Sequence, residues 1–310
     1  MNILVTGAGG GSGLATIRIL KTTTNHAVYG ADCSENASGL GLADKGFVIP
    51  RAEDKNFVAA IQEIVAEKKI DLILPNVDEE LKTFASNVEK IPQVLISSLE
   101  TIEICSDKYK TLTTLREVCG TPEVYKNERP PKESYPVVVK PRCSRGSRNI
   151  YIANSPEQLE AILLYVDTLG IPSEKRLVQE FLPGPEYTVD CMFDLSGRLL
   201  AAVPRQRIAT HGGICSIGRT EKNNFLITAV DNISKHISFR GPVNIQFRHS
   251  RTGEFKLLEI NARIAGGVPI TLRAGVNIPL LCTKIITNAS INFSDCEFIE
   301  TKVYRYLTEV

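Results

Sequence analysis

The chain of 310 residues carries 36 Lys and Arg against 35 Asp and Glu, a formal charge of +1, with 43% hydrophobic and 23% charged residues. At roughly 150 residues per domain this allows about two domains of ordinary globular composition. It excludes a charge-rich disordered tail and argues against bulk nucleic-acid binding, which shows a basic excess.

The first hundred residues alternate strand and helix signals. Residues 3–6 read as a short apolar strand, followed by a cluster holding Gly7, Gly10 and Gly13 and by a helical stretch over 14–21. Residues 27–32 read as a second strand and 46–50 as a short third. Phe57–Lys68 has apolar residues at helical spacing, and 71–75 and 94–96 are further strands. This alternation implies right-handed crossovers and a parallel sheet covered on both faces, a small Rossmann-like α/β domain.

Character changes near residue 105. Ser106 is placed to cap a helix over 107–118, which Gly120 and Pro122 end. A loop with Pro130, Pro131 and Pro136 leads into strands at 137–140 and 150–152, and a helix is expected over 156–169. Strands then dominate, at 177–181, 187–193, 199–204, 242–248 and 255–260, with one helix around 225–238. The second half is α+β and mostly antiparallel.

The eight cysteines never form a C-x-x-C pair and read as reduced, mostly buried thiols. The four histidines are scattered, which removes the simplest zinc arguments. The first strand opens without a signal-peptide pattern, and no run approaches the ~20 apolar residues of a membrane span. A soluble cytoplasmic chain with no membrane or nucleic-acid partner is expected.

Four segments carry chemistry. Gly7, Gly10 and Gly13 follow a strand and open a helix, and Asp32 ends the next strand. Such a turn can hold a dinucleotide phosphate with the acid on a ribose, as in an NAD-dependent dehydrogenase or epimerase. No Tyr of this chain is followed by Lys at the fourth position, as the short-chain enzymes of that kind require, and a tight βα turn without a dinucleotide explains the glycines equally well. No Gly-Lys-Ser/Thr occurs, so a Walker loop is absent.

The second segment pairs residues 242–248 with 256–263. Strand alternation puts Asn244, Gln246 and Arg248 on one face of the first run, and Glu259, Asn261 and Arg263 on one face of the second. A turn centred on Thr252 and Gly253 sets Gln246 opposite Glu259 and Asn244 opposite Asn261. Hard Glu, Gln and Asn oxygens suit Mg²⁺ bridging phosphates, and Arg263 would neutralise a phosphoryl group in transfer. An exposed hairpin face with one Glu–Arg pair is the plainer alternative. Third, a buried strand delivers Lys140 to its end, ahead of a loop with Arg142, Arg145, Gly146, Ser147 and Arg148 that can close over a polyphosphate. A solvated basic tip is its alternative. Fourth, residues 178–190 read as strand, Gly/Pro turn and strand, with Glu180 and Glu186 either functional or on the surface.

Taken in order, these segments resemble the ATP-grasp ligases, and within them the carbamoyl-phosphate-synthetase-like branch. The carriers are Ser106-Asp107-Lys108, Val139-Lys140-Pro141 with Gly146-Ser147, Gln179-Glu180-Phe181 with Gly184, Glu186 and Tyr187, and Asn244, Gln246, Glu259, Asn261 and Arg263. They cover roughly residues 105–265. The resemblance implies a pre-ATP-grasp domain over 1–104, an N-terminal lobe or lid over 105–178, and a C-terminal lobe with the metal and phosphate site over 179–310. It implies that Lys108, Lys140 and the 142–149 loop contact ATP phosphates. Gln179, Glu180, Phe181 and Leu182 would face adenine and Glu186 the ribose. Glu259 and Asn261 would bind Mg²⁺, or Mn²⁺ in its place. Gln246 stands where many members carry an acid, which matches the carbamoyl-phosphate branch, and Asn149 stands where a Gly often closes the loop.

The function expected is an ATP- and Mg²⁺-dependent carboxylate–amine ligase working through an acyl phosphate, with Lys140 and Arg263 as its charge-neutralising residues. Its substrates would be a small-molecule carboxylate and an amine, approached from Asp78 and Glu79 and from Arg205, Arg207 and the loop at His211. Surface loops are the alternative for each. Carboxyphosphate chemistry on bicarbonate, an NAD-dependent dehydrogenase or epimerase, and a nucleotide-binding regulator stay open, as does homodimerisation. The single set of grasp motifs, with nothing resembling an ammonia-generating domain, favours amino-acid ligation.

Overall fold

A computed structural model describes residues 1–143, 149–306 and 308. The N-terminal segment builds β1 (Asn2–Thr6), α1 (Gly11–Thr23), β2 (Ala27–Asp32), α2 (Ser38–Leu42), β3 (Lys45–Val48), α3 (Phe57–Lys68), β4 (Leu72–Leu74), α4 (Asp78–Ser86) and α5 (Leu99–Ser106). Its four strands are parallel in the order β3-β2-β1-β4. The expected strand at 94–96 contributes only a single bridge, Ile73 to Val94. The near-continuous apolar strands β1 and β4 are buried on both faces, as crossover helices require.

The glycine turn after β1 is a packing device. Gly7 has φ +65°, and a Cβ on Gly13 would lie 2.1 Å from the Gly7 carbonyl oxygen. Asp32 spends its carboxylate on the same turn, accepting from Gly9 N at 2.8 Å and Ser34 N at 2.9 Å. The acid that a dinucleotide reading gives to ribose therefore closes the loop on itself.

Then follow α6 (Lys108–Thr114), β5 (Val137–Pro141), β6 (Tyr151–Ala153), α7 (Pro156–Thr168) and β7 (Arg176–Glu180). Asp107, not Ser106, caps α6, accepting from Tyr109 N and Lys110 N. Ser106 instead ends α5 and donates back to Ile102 O at 2.7 Å. The expected helix to residue 118 stops at Thr114, where Thr111, Thr113 and Thr114 weaken helical propensity. β6-β5-β7 form a three-stranded antiparallel sheet.

The rest comprises β8 (Glu186–Phe193), β9 (Leu199–His211), β10 (Ile214–Thr220), α8 (Asn224–Ser234), β11 (Gly241–His249), β12 (Phe255–Asn261), α9 (Val268–Arg273), α10 (Ile278–Ile286) and β13 (Lys302–Tyr304). The strands form a six-stranded sheet in the order β12-β11-β8-β9-β10-β13. Here the structure adds to the sequence reading. β9 runs on to His211 and turns through Gly212 and Gly213, both at positive φ, into a strand not expected from sequence. Two helices follow where none was expected, each with Pro in its first turn, and Asn277 caps the second through Leu280 N.

Candidate active site

The three-stranded and six-stranded sheets face each other across a cavity of about 380 Å³ lined by Lys108, Lys140, Ile150, Ile152, Gln179, Glu180, Phe181, Leu182, Glu186, Gln246 and Glu259. Lys140 lies near the end of the buried strand β5 and is itself only 5% exposed. Burial, reinforced by the nearby Lys108, lowers its pKa to about 8 against the pull of Glu259 and Glu186. Gln179 is buried beside it, and its Oε1 has no partner among the described residues. Glu180 turns its side chain to Lys256 Nζ, 2.6 Å away, and to Glu123 N at 3.1 Å, and its own backbone N–H donates to Glu123 O at 2.8 Å, so its carboxylate is spent away from the oxygen cluster. Gly146, Ser147, Arg145 and Arg148 lie outside the described residues.

The facing wall is the β11–β12 pair. Its register sets Asn244 opposite Asn261 and Gln246 opposite Glu259, as the turn position and strand period predict. An irregularity after Gln246 shifts the outer pairs without disturbing these. Asn261 Nδ2 reaches Glu259 Oε1 at 3.3 Å and Asn244 Oδ1 at 3.2 Å, which leaves Asn261 Oδ1 as the atom a cation would take. Lys108 Nζ, brought in at the start of α6, stands 3.4 Å from Glu259 Oε2. Among the described residues no three His, Cys, Asp or Glu side chains converge as a metal cage. One carboxylate with two amide oxygens instead suits a hard cation that keeps water and phosphate oxygens as its remaining ligands, so Gln246, Glu259 and Asn261 fit Mg²⁺.

A second cavity of about 450 Å³ adjoins the first through Glu186, Gln246 and Glu259. Gly10, Gly11 and Ser12 of the glycine turn form one wall, and Asp78, Arg205, Arg207, Asn261, Arg263 and Gly267 also border it. Arg263 grips Asp78 through Nε and Nη2 at 2.7 and 2.6 Å, tying the end of β12 to the first turn of α4. Arg205 grips Asp190 through Nε and Nη2 at 2.9 and 3.1 Å, and Thr271 donates to the same carboxylate. Arg207 Nε lies 3.2 Å from Glu186. Glu79 borders a third cavity with Lys108, Asp78 and Glu259. A larger space of about 1220 Å³ lies between α6, residues 121–131 and β7, away from the oxygen cluster, so size does not select the site.

Sequence reasoning missed two features. Arg142, expected on phosphates, binds Asp107 instead, with Nε to Oδ1 at 3.1 Å and Nη2 to Oδ2 at 2.5 Å. The buried Asp190 partner of Arg205 lies 15 residues away, and only their diagonal positions on β8 and β9, where Arg205 faces Thr188 and Asp190 faces Val203, would have signalled it.

Two antiparallel sheets closing on one cleft, lysines from one side and a carboxylate–amide cluster from the other, with a parallel domain ahead of them, make the ATP-grasp fold; the class is that of ATP-dependent ligases. Solved structures share the fold. The biotin carboxylase domain of Hydrogenobacter thermophilus 2-oxoglutarate carboxylase, in complex with MgADP, ADP and bicarbonate, has a TM-score of 0.75 at 18% identity, covering 96% of this chain and 72% of that one. The L-amino acid ligase of Bacillus licheniformis has a TM-score of 0.74 at 16% identity, covering 98% and 79%. The chain combines a region similar to ATP-grasp domains with a PylC-like N-terminal region, and its relatives include carbamoyl-phosphate synthases. Residues 173–308 match the family described as ATP-grasp in the biosynthetic pathway with Ter operon, and residues 3–99 match the PylC-like N-terminal domain. Carbamoyl-phosphate synthase from Methanobrevibacter smithii is 23% identical over 304 residues, 90% of this chain and 78% of that protein. The N-terminal section of the Methanopyrus kandleri carbamoyl phosphate synthase large chain is 26% identical over 275 residues, 79% of this chain and 47% of that section.

Proposed function

We propose that the chain is an ATP- and Mg²⁺-dependent carboxylate–amine ligase acting on small molecules in the cytoplasm. The carrying observation is the cross-strand oxygen cluster of Gln246, Glu259 and Asn261, which stands where the two cavities meet and has Lys108 against its one carboxylate. Gln246, Glu259 and Asn261 would hold Mg²⁺, which would supply charge neutralisation to the phosphates. A substrate carboxylate oxygen attacks the γ-phosphorus, ADP leaves and an acyl phosphate remains. The amine nitrogen then attacks the acyl carbon, phosphate leaves, and the nitrogen gives up a proton. Lys140 and Lys108 orient and neutralise the phosphates, and Arg263 lines the neighbouring cavity where acyl transfer would occur.

Phosphate release measured over carboxylates crossed with amines tests this. Glu259→Ala is expected to lower ATP turnover by about 100-fold or more with the fold retained by circular dichroism. Full turnover in that variant would remove the metal assignment. The carbamoyl-phosphate synthase relatives favour a second reading, bicarbonate as the carboxylate, which the same screen reads as amine-independent, bicarbonate-stimulated ATP cleavage. Homodimerisation is read by light scattering.

A further inference from the structure

The glycine turn ahead of α1, with Asp32 accepting from Gly9 N, walls the 450 Å³ cavity. Arg205 stands on that cavity too. It is 1% exposed, two of its nitrogens serve Asp190, and Nη1 is buried with no hydrogen-bond partner among the described residues. A buried, unmet donor on a charged group calls for an acceptor, because leaving it unpaired keeps its full desolvation cost.

Two consecutive glycines lie between this guanidinium and α1. A Cβ on Gly267 would sit 2.6 Å from Arg205 Nη1, and one on Gly266 would sit 3.6 Å from Ser12 N. At Gly267 the absent side chain makes room for the Arg205 guanidinium itself, and at Gly266 it leaves a cradle edged by the first turn of α1 and Ile214. α1 is 13 residues long, and Gly10 supplies no side-chain cap to its first N–H groups. Such an end carries partial positive charge and open donors. Arg305 Nη1 donates to Cys215 O at 3.0 Å and Gly266 O at 2.8 Å, taking up two carbonyls at the cavity wall that would repel an anion. Burial first, then the charge of Arg205, pull its pKa down, with Cys215 opposing, so a second guanidinium stands close to Arg205. Two carboxylates beside the cradle are already engaged, Asp78 by Arg263 and Glu186 by Arg207.

We propose that this cradle recognises an oxyanion, a carboxylate or a phosphate, carried by the second substrate, which is therefore an amine bearing an acid group and neither ammonia nor a neutral amine. The inference rests on the ligase reading and extends it from reaction to substrate class. Its test is calorimetry on the full chain saturated with MgADP, titrated with succinate, inorganic phosphate and neutral succinamide. Succinate or phosphate binds and succinamide does not; the better binder tells a carboxylate from a phosphate. Gly266→Asp, which sets a carboxylate in the cradle, weakens that binding by about tenfold or more while MgADP affinity stays unchanged. Arg205→Met with Asp190→Leu, which replaces the buried pair by apolar groups, does the same with the fold retained by circular dichroism. Binding of neither anion, or equal binding of succinamide, overturns the inference. Anion binding that survives Gly266→Asp overturns it as well, since the ion then lies at the γ-phosphate position. MgADP that fails to bind at all removes the ligase reading and this inference with it.

Discussion

Lys140 shows how one residue converts burial into a ligand preference. A lysine near the end of a core strand loses hydration, and with Lys108 close by its pKa falls to about 8. Nucleotide phosphates at the proposed site would restore the charged form, so binding is expected to raise this pKa and take up a proton in the window just above the free value. ADP titrated into the chain at pH 8 in metal-free buffer is expected to absorb protons, and affinity is expected to fall as pH rises further. Calorimetry in two buffers of different ionisation enthalpy reads this directly. No buffer dependence at pH 8, or identical behaviour in Lys140→Met, would contradict it. The lysine was legible in the sequence as a cation at the end of an apolar run. Its depressed pKa was not, because the burial that dominates it, the Lys108 charge that adds to it and the Glu259 and Glu186 charges that oppose it come from the packing of other elements around the strand.

At the scale of elements, the start of α6 performs two tasks with one carboxylate. Asp107 caps the helix through Tyr109 N and Lys110 N and also holds Arg142 at the exit of β5. The next residue, Lys108, reaches Glu259, so the cap sets where that ammonium stands. Asp107→Asn keeps an oxygen for the cap but loses the ion pair, and is expected to cost less than about 1 kcal/mol. Asp107→Ala loses both and is expected to cost about 1–2 kcal/mol more than the Asn variant, with a raised KM for ATP. Urea denaturation beside steady-state kinetics checks both, and equal stability of the two variants would separate the cap from the helix's anchoring. Strand alternation and the Thr252–Gly253 turn made the β11–β12 register legible, because period and turn position are local. The Arg263–Asp78 pair spans 185 residues, and Arg142 chose Asp107 over the phosphate loop across 35; no local pattern announces either. Short, Pro-led helices such as α9 fell below the length at which helical periodicity can be read.

For the whole molecule, the cores divide the chain differently from the motif order. The proposed boundary at residue 104 falls inside α5. One core joins Leu4, Phe57 and Phe84 of the N-terminal segment to Val189, Phe193, Ile245 and Leu257 of the six-stranded sheet, and a second joins Ile3, Val5 and Leu72 to Met192, Val203 and Leu281. The three-stranded sheet has its own small core of Tyr125, Val137, Val139, Ala153, Leu159, Val166 and Val178. Elements that share a core open together, and a lobe with few buried apolar residues opens at lower free energy. The N-terminal segment and the six-stranded sheet are therefore expected to unfold as one unit, while β5, β6 and α7 exchange their amide hydrogens first. Adenine nucleotide, by bridging β7 to the β11–β12 face, should slow exchange in β5 and β7 more than in β1 or β2. Native-state hydrogen exchange with and without MgADP reads both expectations. Protection in β1 lower than in β6, or nucleotide protection confined to the glycine turn before α1, would mean that the shared cores do not hold the N-terminal segment in place.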